Sequence, residues 1–225
     1  MKREKKIYPR HVRALRTAAI ALAMLLYCHS ILHFGFLLLP TQTLHVLKQL
    51  TGVYERTQVV QRRLESGMTH LIDVLYLTEG ENSLSLFCTH PGLFGWTDAF
   101  LWPVDTSDGG DVHAGVVTMS RRNREGLVVF YGRVKGTEGV RLTANVCTEL
   151  RLDAEHSEHV HVYGHGVGEE YCRVRDGCTY FIFIEPYPVP EEELREYPPV
   201  YQLIVNRGEE HTAYEIEQTA SVFWG

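Results

Sequence analysis

Four histidines, His156, His159, His161 and His165, lie close together in the chain. On an extended strand residues 159, 161 and 165 share a face, so an H-x-H metal site is conceivable, with Glu158, Glu169 and Glu170 able to complete it. Gly164 and Gly166 break such a strand, and HVHVYGHG has no spacing used by metal enzymes. An exposed loop beside a strand is the expected reading, with pH sensing a weaker one. Ser120, followed by Arg121, Arg122 and Arg124, reads as a solvated basic turn. No nucleophile elbow, phosphate loop or HExxH motif is present. The residues therefore point away from catalysis: no enzyme, metal or cofactor is expected.

Thiols are the other reactive groups. Cys28 sits in an apolar N-terminal run, and Cys88, Cys147, Cys172 and Cys178 follow it. Four cysteines allow three complete pairings. Cys172 and Cys178 could close a small loop through Arg175-Asp176-Gly177, and this disulfide is favoured; buried free thiols elsewhere are the alternative. No N-x-S/T glycosylation site occurs.

The elements that must position these groups begin with Thr17–Leu39, an apolar run without Lys, Arg, Asp or Glu. Its length suits a bilayer-spanning helix, which needs roughly 20 apolar residues. Lys2, Arg3, Lys5, Lys6, Arg10, Arg13 and Arg16 precede it, against the single acid Glu4. Basic residues beside a span stay in the cytoplasm, so the C-terminal part is expected outside. A cleaved signal peptide is disfavoured, because the run is long and meets no small-residue cleavage site. The expected organisation is a cytoplasmic tail over 1–16, an anchor over 17–39, a stalk over 40–67 and an extracellular domain over 68–225. The formal charge is −6, and the basic residues concentrate at the N-terminus, leaving an acidic body that excludes nucleic acid as its partner.

In the stalk, Leu44, Leu47, Leu50, Tyr54, Val60 and Leu64 give a broken three-to-four spacing. Both a short coiled coil and an amphipathic helix lying on the domain fit it. Arg62-Arg63 is a candidate cleavage point for releasing a soluble form. From Met68 the texture changes to short alternating runs separated by Gly, Pro, Asn and Asp, and helical periodicity nearly disappears. Strands are predicted over 69–77, 83–89, 94–104, 112–120, 127–135, 140–152, 160–163, 178–185, 197–205, 212–217 and 219–224. Trp96, Phe100 and Trp102 are expected on one strand face. The strand 127–135 is apolar on both faces, so both must be covered, one by the core and the other by a partner or a second layer. Such a series of strands predicts an all-β, antiparallel sandwich or jelly roll.

Arg124–Gly136 (REGLVVFYGRVKG) resembles a characteristic strand of the tumour necrosis factor ligand family: Gly126, Leu127, Tyr131 and Val134 match, while Val128 stands where an aromatic is usual. Val200-Tyr201-Gln202-Leu203 with Gly208-Glu209 is similar to a later strand, with two extra residues and Glu in place of Asp. Phe223-Trp224-Gly225 resembles the family's final strand. Thr69-His70-Leu71 resembles its opening, and Trp96 corresponds to its usual early tryptophan. The resemblance covers 68–225 and implies a jelly-roll domain behind a single transmembrane helix: a type II plasma-membrane cytokine that forms a homotrimer. Tyr131, Phe223 and Tyr197 would then approach the trimer axis. The partner implied is a receptor of the tumour necrosis factor receptor family. It would be contacted by loops 76–83 and 135–139 on opposite sides of a subunit, through Tyr76, Glu79, Lys135, Thr137 and Glu138. The acidic loop at 186–196 is a further contact candidate. The alternative is a membrane-anchored adhesion or viral surface glycoprotein that is not a cytokine.

Overall fold

The computed structural model describes residues 9–32, 40–50, 55–66, 68, 72–92, 95–121, 124–151, 157–188 and 199–224. Two helices precede the strands: α1 over Arg10–Leu32 and α2 over Pro40–Leu50. Thirteen strands follow: β1 Gln58–Glu65, β2 Asp73–Glu79, β3 Ser83–Gly92, β4 Gly95–Asp105, β5 Val112–Arg121, β6 Arg124–Lys135, β7 Val140–Arg151, β8 Ser157–Val167, β9 Cys172–Arg175, β10 Cys178–Pro186, β11 Pro199–Arg207, β12 Glu210–Ile216 and β13 Gln218–Trp224. The all-β expectation holds. The stretch expected as a stalk divides between α2 and β1, so it is not a separate spacer.

The strands form three sheets. The first is a meander, β1-β2-β3-β4; the second has the order β13-β5-β6-β10-β9; the third has the order β12-β11-β7-β8. Their pairings are antiparallel except that β13 runs parallel to β5. The second sheet is the middle layer. Val117, Val129, Tyr131, Tyr180 and Ile182 on one face pack against Leu75, Leu77, Leu84 and Leu86 of the first sheet. Val116, Val128, Phe130, Phe181 and Phe183 on its other face pack against Ala144, Val146, Leu203 and Val205 of the third. A strand apolar on both faces thus finds both covers within one chain.

The first sheet is also covered on its outer side. Leu44 of α2 packs into a small cluster with Val74, Tyr76 and Phe87, and Leu47 joins it. Fully burying one such leucine contributes about 2 kcal/mol. Of the two readings of this stretch, the helix lying on the domain is the one observed over Pro40–Leu50. Thr43 Oγ1 donates to Thr89 Oγ1 at 3.1 Å, while Lys48 Nζ donates to the Glu55 carbonyl at 2.8 Å. Glu55 in turn accepts from the backbone N–H of Asn82 at 3.1 Å. The helix therefore enters beside the far end of β3 and runs toward the turn between β2 and β3.

Two further expectations are corrected. Trp96, Phe100 and Trp102 do not share a face: pairing of β3 with β4 shifts between Cys88 and Thr89, which reverses the alternation. Trp96 joins the cluster under α2, and Phe100 stacks on Trp102 at 5.1 Å in the core between the first two sheets. The Cys172–Cys178 disulfide is not formed, and both thiols are free. In the β9–β10 hairpin Cys172 lies opposite Phe181 and Cys178 opposite Arg175. That offset of three residues is about 10 Å along a strand, beyond the reach of a disulfide. Moreover, Cys178 packs with the first core cluster and Cys172 with the second, on opposite faces of the middle sheet.

Among the described residues no helix is long and apolar enough to cross a membrane. Residues 33–39 of the expected anchor lie outside the described residues. Leu15, Ile20, Leu22, Met24, Leu25 and Leu26 of α1 are all exposed.

Candidate functional site

The middle sheet carries a polar row across its apolar face. His113 pairs with Arg133 between β5 and β6, and Arg133 pairs with Tyr180 between β6 and β10. All three side chains point toward the first sheet, in step with Tyr131 and Ile182. There Arg133 and Tyr180 meet Glu79 at the end of β2. Arg133 forms an ion pair with Glu79, and Tyr180 Oη donates to the other carboxylate oxygen at 2.7 Å. Arg133 Nε donates to His113 Nδ1 at 3.4 Å, and His113 Nε2 bonds Asp108 at 2.5 Å. Burial, followed by the hydrogen bond to Glu79, raises the Tyr180 pKa. The Gly110 N–H, then His113, lowers that of Asp108; the Ser107 N–H lowers that of Asp105.

This row lies at one end of the molecule, where the turns converge. The Thr106 N–H donates to the Asn82 carbonyl at 3.0 Å, joining the β4–β5 turn to the β2–β3 turn. Lys135 Nζ donates to the Gly109 carbonyl at 2.7 Å and pairs with Asp111 at 3.3 Å. The Gly136 N–H donates to the Gly177 carbonyl at 2.9 Å, and both glycines have positive φ, which a tight turn needs and other residues resist. Arg207 donates to the Lys135 carbonyl at 3.1 Å. Five turns are thereby tied into one pole. An open cleft of about 480 Å³ beside it is lined by Asp105, His113, Glu215, Glu217 and Thr219.

Both loops expected to touch a receptor belong to this pole, rather than to opposite sides of a subunit. Lys135, Thr137 and Glu138 are exposed there. Glu79 is half-buried in its ion pair, and Tyr76 is buried under α2 with Arg62 over its ring at 5.9 Å. Tyr131 is buried within one chain; its hydroxyl donates to the Trp102 carbonyl at 3.1 Å and lies in hydrogen-bond contact with Thr219 Oγ1 at 3.3 Å. Phe223 lies in β13, opposite Ser120. Its side chain, Tyr197, Thr69-His70-Leu71 and loop residues 189–196 lie outside the described residues.

Of the four clustered histidines, His165 is the one whose side chain is described. Pairing of β7 with β8 shifts register between Thr148 and Glu149, opposite His161 and His159. His165 Nδ1 hydrogen-bonds Glu185 of β10, bridging the third and second sheets. His156 and the side chains of His159 and His161 lie outside the described residues. Among the described residues no group of three His, Cys, Asp or Glu is arranged to hold a metal. The Glu79–Arg133–His113–Asp108 connection was missed in sequence: its partners come from strands far apart in the chain, and only the end-of-strand positions of Glu79 and Arg133 hint at it.

Compared with known protein families, with curated proteins and with solved structures, the chain matches none.

Proposed function

We propose that this chain is a membrane-anchored recognition protein: a trimeric cytokine of the tumour necrosis factor ligand kind that binds and clusters a receptor of the matching receptor family. The observation that carries the reading is the head's polarity. The chain enters the head at Pro40, and α2 runs from beside Thr89 toward the opposite pole, where the exposed turns gather. A tether at one end and a contact surface at the other suit a protein that works across a gap between surfaces. The large apolar side chains described in α1, from Val12 to Leu26, are exposed. In the sequence, the uncharged run over 17–39 with basic residues before it supports an anchor of a type II plasma-membrane protein. The motifs at 124–136, 200–209 and 223–225 support the family. The jelly-roll form of the head belongs to this same reading.

Function then requires no bond chemistry. Three linked heads engage three receptors, and linkage provides avidity beyond a single contact. Lys135, Thr137 and Glu138 are the exposed candidates for that contact. With Tyr131 covered by its own chain, the trimer contact falls to other surfaces, among them the open edge at β13 that contains Phe223.

One observation favours a second reading. Both faces of β6 are satisfied within one chain, as in a head that needs no partner copies: a monomeric adhesion or viral surface glycoprotein. Light scattering on the full chain in detergent, corrected for micelle mass, separates the two. A trimer supports the cytokine, and a monomer removes it in favour of the adhesion protein.

A further inference from the structure

Both ring nitrogens of His113 are committed. Arg133 Nε donates to Nδ1 at 3.4 Å, and an arginine side chain has only donors to offer. Nδ1 is therefore the bare acceptor, so the ring proton lies on Nε2, which donates to Asp108 Oδ1 at 2.5 Å. The His113 side chain is 4% exposed, so Nδ1 cannot turn to water without moving the ring. The geometry holds His113 as the neutral, Nε2-protonated imidazole.

A second proton, taken from solvent, has only Nδ1 to go to, and there it meets a donor. Two positively charged N–H groups would then face each other in a buried site. The guanidinium cannot give up its proton, and Glu79 holds it from the other side. The imidazolium is the member free to shift, and carboxylates draw it outward: Asp108, already bonded to it, and Asp105, whose charge acts on the same ring. Of the other ionisable groups around it, Tyr180 of β10 is bonded to Glu79, Lys135 is paired with Asp111, and Glu215 and Glu217 line the cleft that His113 shares. Gly110 packs over the ring, where an added Cβ would lie 3.4 Å from Nε2. A ring drawn outward therefore presses on the β4–β5 turn. That turn accepts from Lys135 Nζ through the Gly109 carbonyl and donates to the β2–β3 turn through the Thr106 N–H.

We propose that protonation of His113 is a switch in the turn pole: it breaks the Arg133–His113 link, splits the polar row into an Arg133–Glu79 pair and a His113–Asp108 pair, and loosens the β4–β5 turn that positions Lys135. This rests on the reading of the pole as a contact surface and adds a proton-dependent regulation to it.

The test uses the full chain in detergent. Ring-nitrogen NMR, with His113→Gln identifying the His113 signals among the 12 histidines, is expected to show a bare Nδ1 at about pH 8 and both nitrogens protonated at about pH 5.5, the range over which histidine changes charge. Amide hydrogen exchange over 105–111, corrected for the intrinsic effect of pH, is expected to quicken about tenfold on that acidification, as for one lost hydrogen bond to a charged group. Asp105 and Asp108, whose pKa values are lowered, stay ionised throughout. His113→Gln keeps a donor and an acceptor but takes no proton, so its turn is expected to show no such change. A proton on Nδ1 at the higher pH overturns the proposal, as does an unchanged turn in the parent, equal quickening over the core residues 142–146, or the same quickening in the glutamine variant. The parent's tautomer and exchange decide the matter even without a folded variant, since Asp108→Asn also marks the His113 signals. Every measurement reads the chain without a partner, so failure removes the switch and leaves the contact reading standing.

Discussion

Glu79 and Arg133 form an ion pair across the interface of the first two sheets, and each has a second partner: Tyr180 for the carboxylate and His113 for the guanidinium. Their side chains are 13% and 17% exposed, so neither charge can turn fully into water. Arg133→Met leaves the carboxylate half-buried beside a phenol. A loss of about 3 kcal/mol in urea unfolding is expected. The double replacement Glu79→Gln with Arg133→Met removes the stranded charge and should recover part of that loss.

Gly132 is a position where close approach forbids a side chain. A Cβ there would lie 2.5 Å from the His113 carbonyl oxygen and 2.9 Å from Ala114 Cα. Backbone cannot step aside as a flexible side chain can, so Gly132→Ala should cost about 3 kcal/mol. Gly166→Ala, with nothing within 4 Å of the added carbon, is the control and should fall within about 0.5 kcal/mol of the parent. Thermal or urea unfolding of the pair checks both.

Tyr131→Phe removes only a hydroxyl, leaving the Trp102 carbonyl without that donor. A destabilisation of about 1 kcal/mol is expected. Light scattering on the same variant should return the parent's mass, because the ring faces its own chain. A change in mass would assign the hydroxyl to a contact between copies.

Glu185 introduces an acid-sensitive contribution of known sign. Burial raises its pKa, with His165 opposing the shift. The folded value therefore lies above the unfolded one, so the native state binds the proton more tightly. This group's contribution to stability is complete below the ordinary glutamate range, about pH 4.3, and is lost as pH rises through the raised value. Asp105 and Asp108, whose pKa values are lowered, act in the opposite sense and lose their contribution on acidification. Comparing Glu185→Gln with the parent isolates the glutamate. The parent should gain on the variant as pH falls toward 4 and lose that advantage by pH 7.

The cysteines of the head should all label as thiols. Burial pushes the Cys172 thiol up to about 11, and the Cys88 thiol higher still. Thiolate is scarce at neutral pH, so labelling is slow. Cys172 and Cys178, half-buried, should react before the buried Cys88 and Cys147. Intact mass should not change on reduction.

Alternation made most of the strands legible. The run SLSLFCT could be read as β3 because Leu84, Leu86 and Cys88 recur every second residue and pack on one face. The apolar character of both faces of β6 announced two covers but could not say whether they came from this chain or another. The strand β1 was hidden because Val60 and Leu64, four residues apart, suit a helix as well. The strand β9, CRVR, is too short to show a period. The bulge opposite Cys88 and Thr89 arises from pairing between strands, so no local pattern marks the change of face at Trp96. The same holds for the polar row: His113, Arg133, Tyr180 and Glu79 become neighbours only through register.

The three sheets differ in how their strands are drawn from the chain. The first is assembled from successive strands, each beside the one before. The other two exchange hairpins: β5–β6 and β9–β10 go to the middle layer, β7–β8 and β11–β12 to the third, and β13 returns to the middle. Thr118 and Ser221, bonded at 3.0 Å between β5 and β13, are 103 residues apart. Contacts of such separation form slowly. During synthesis the meander can collapse early onto α2, while β5 waits with an open edge for a strand made nearly half a chain later. Protecting that edge in the interval is a task for chaperones rather than for the fold.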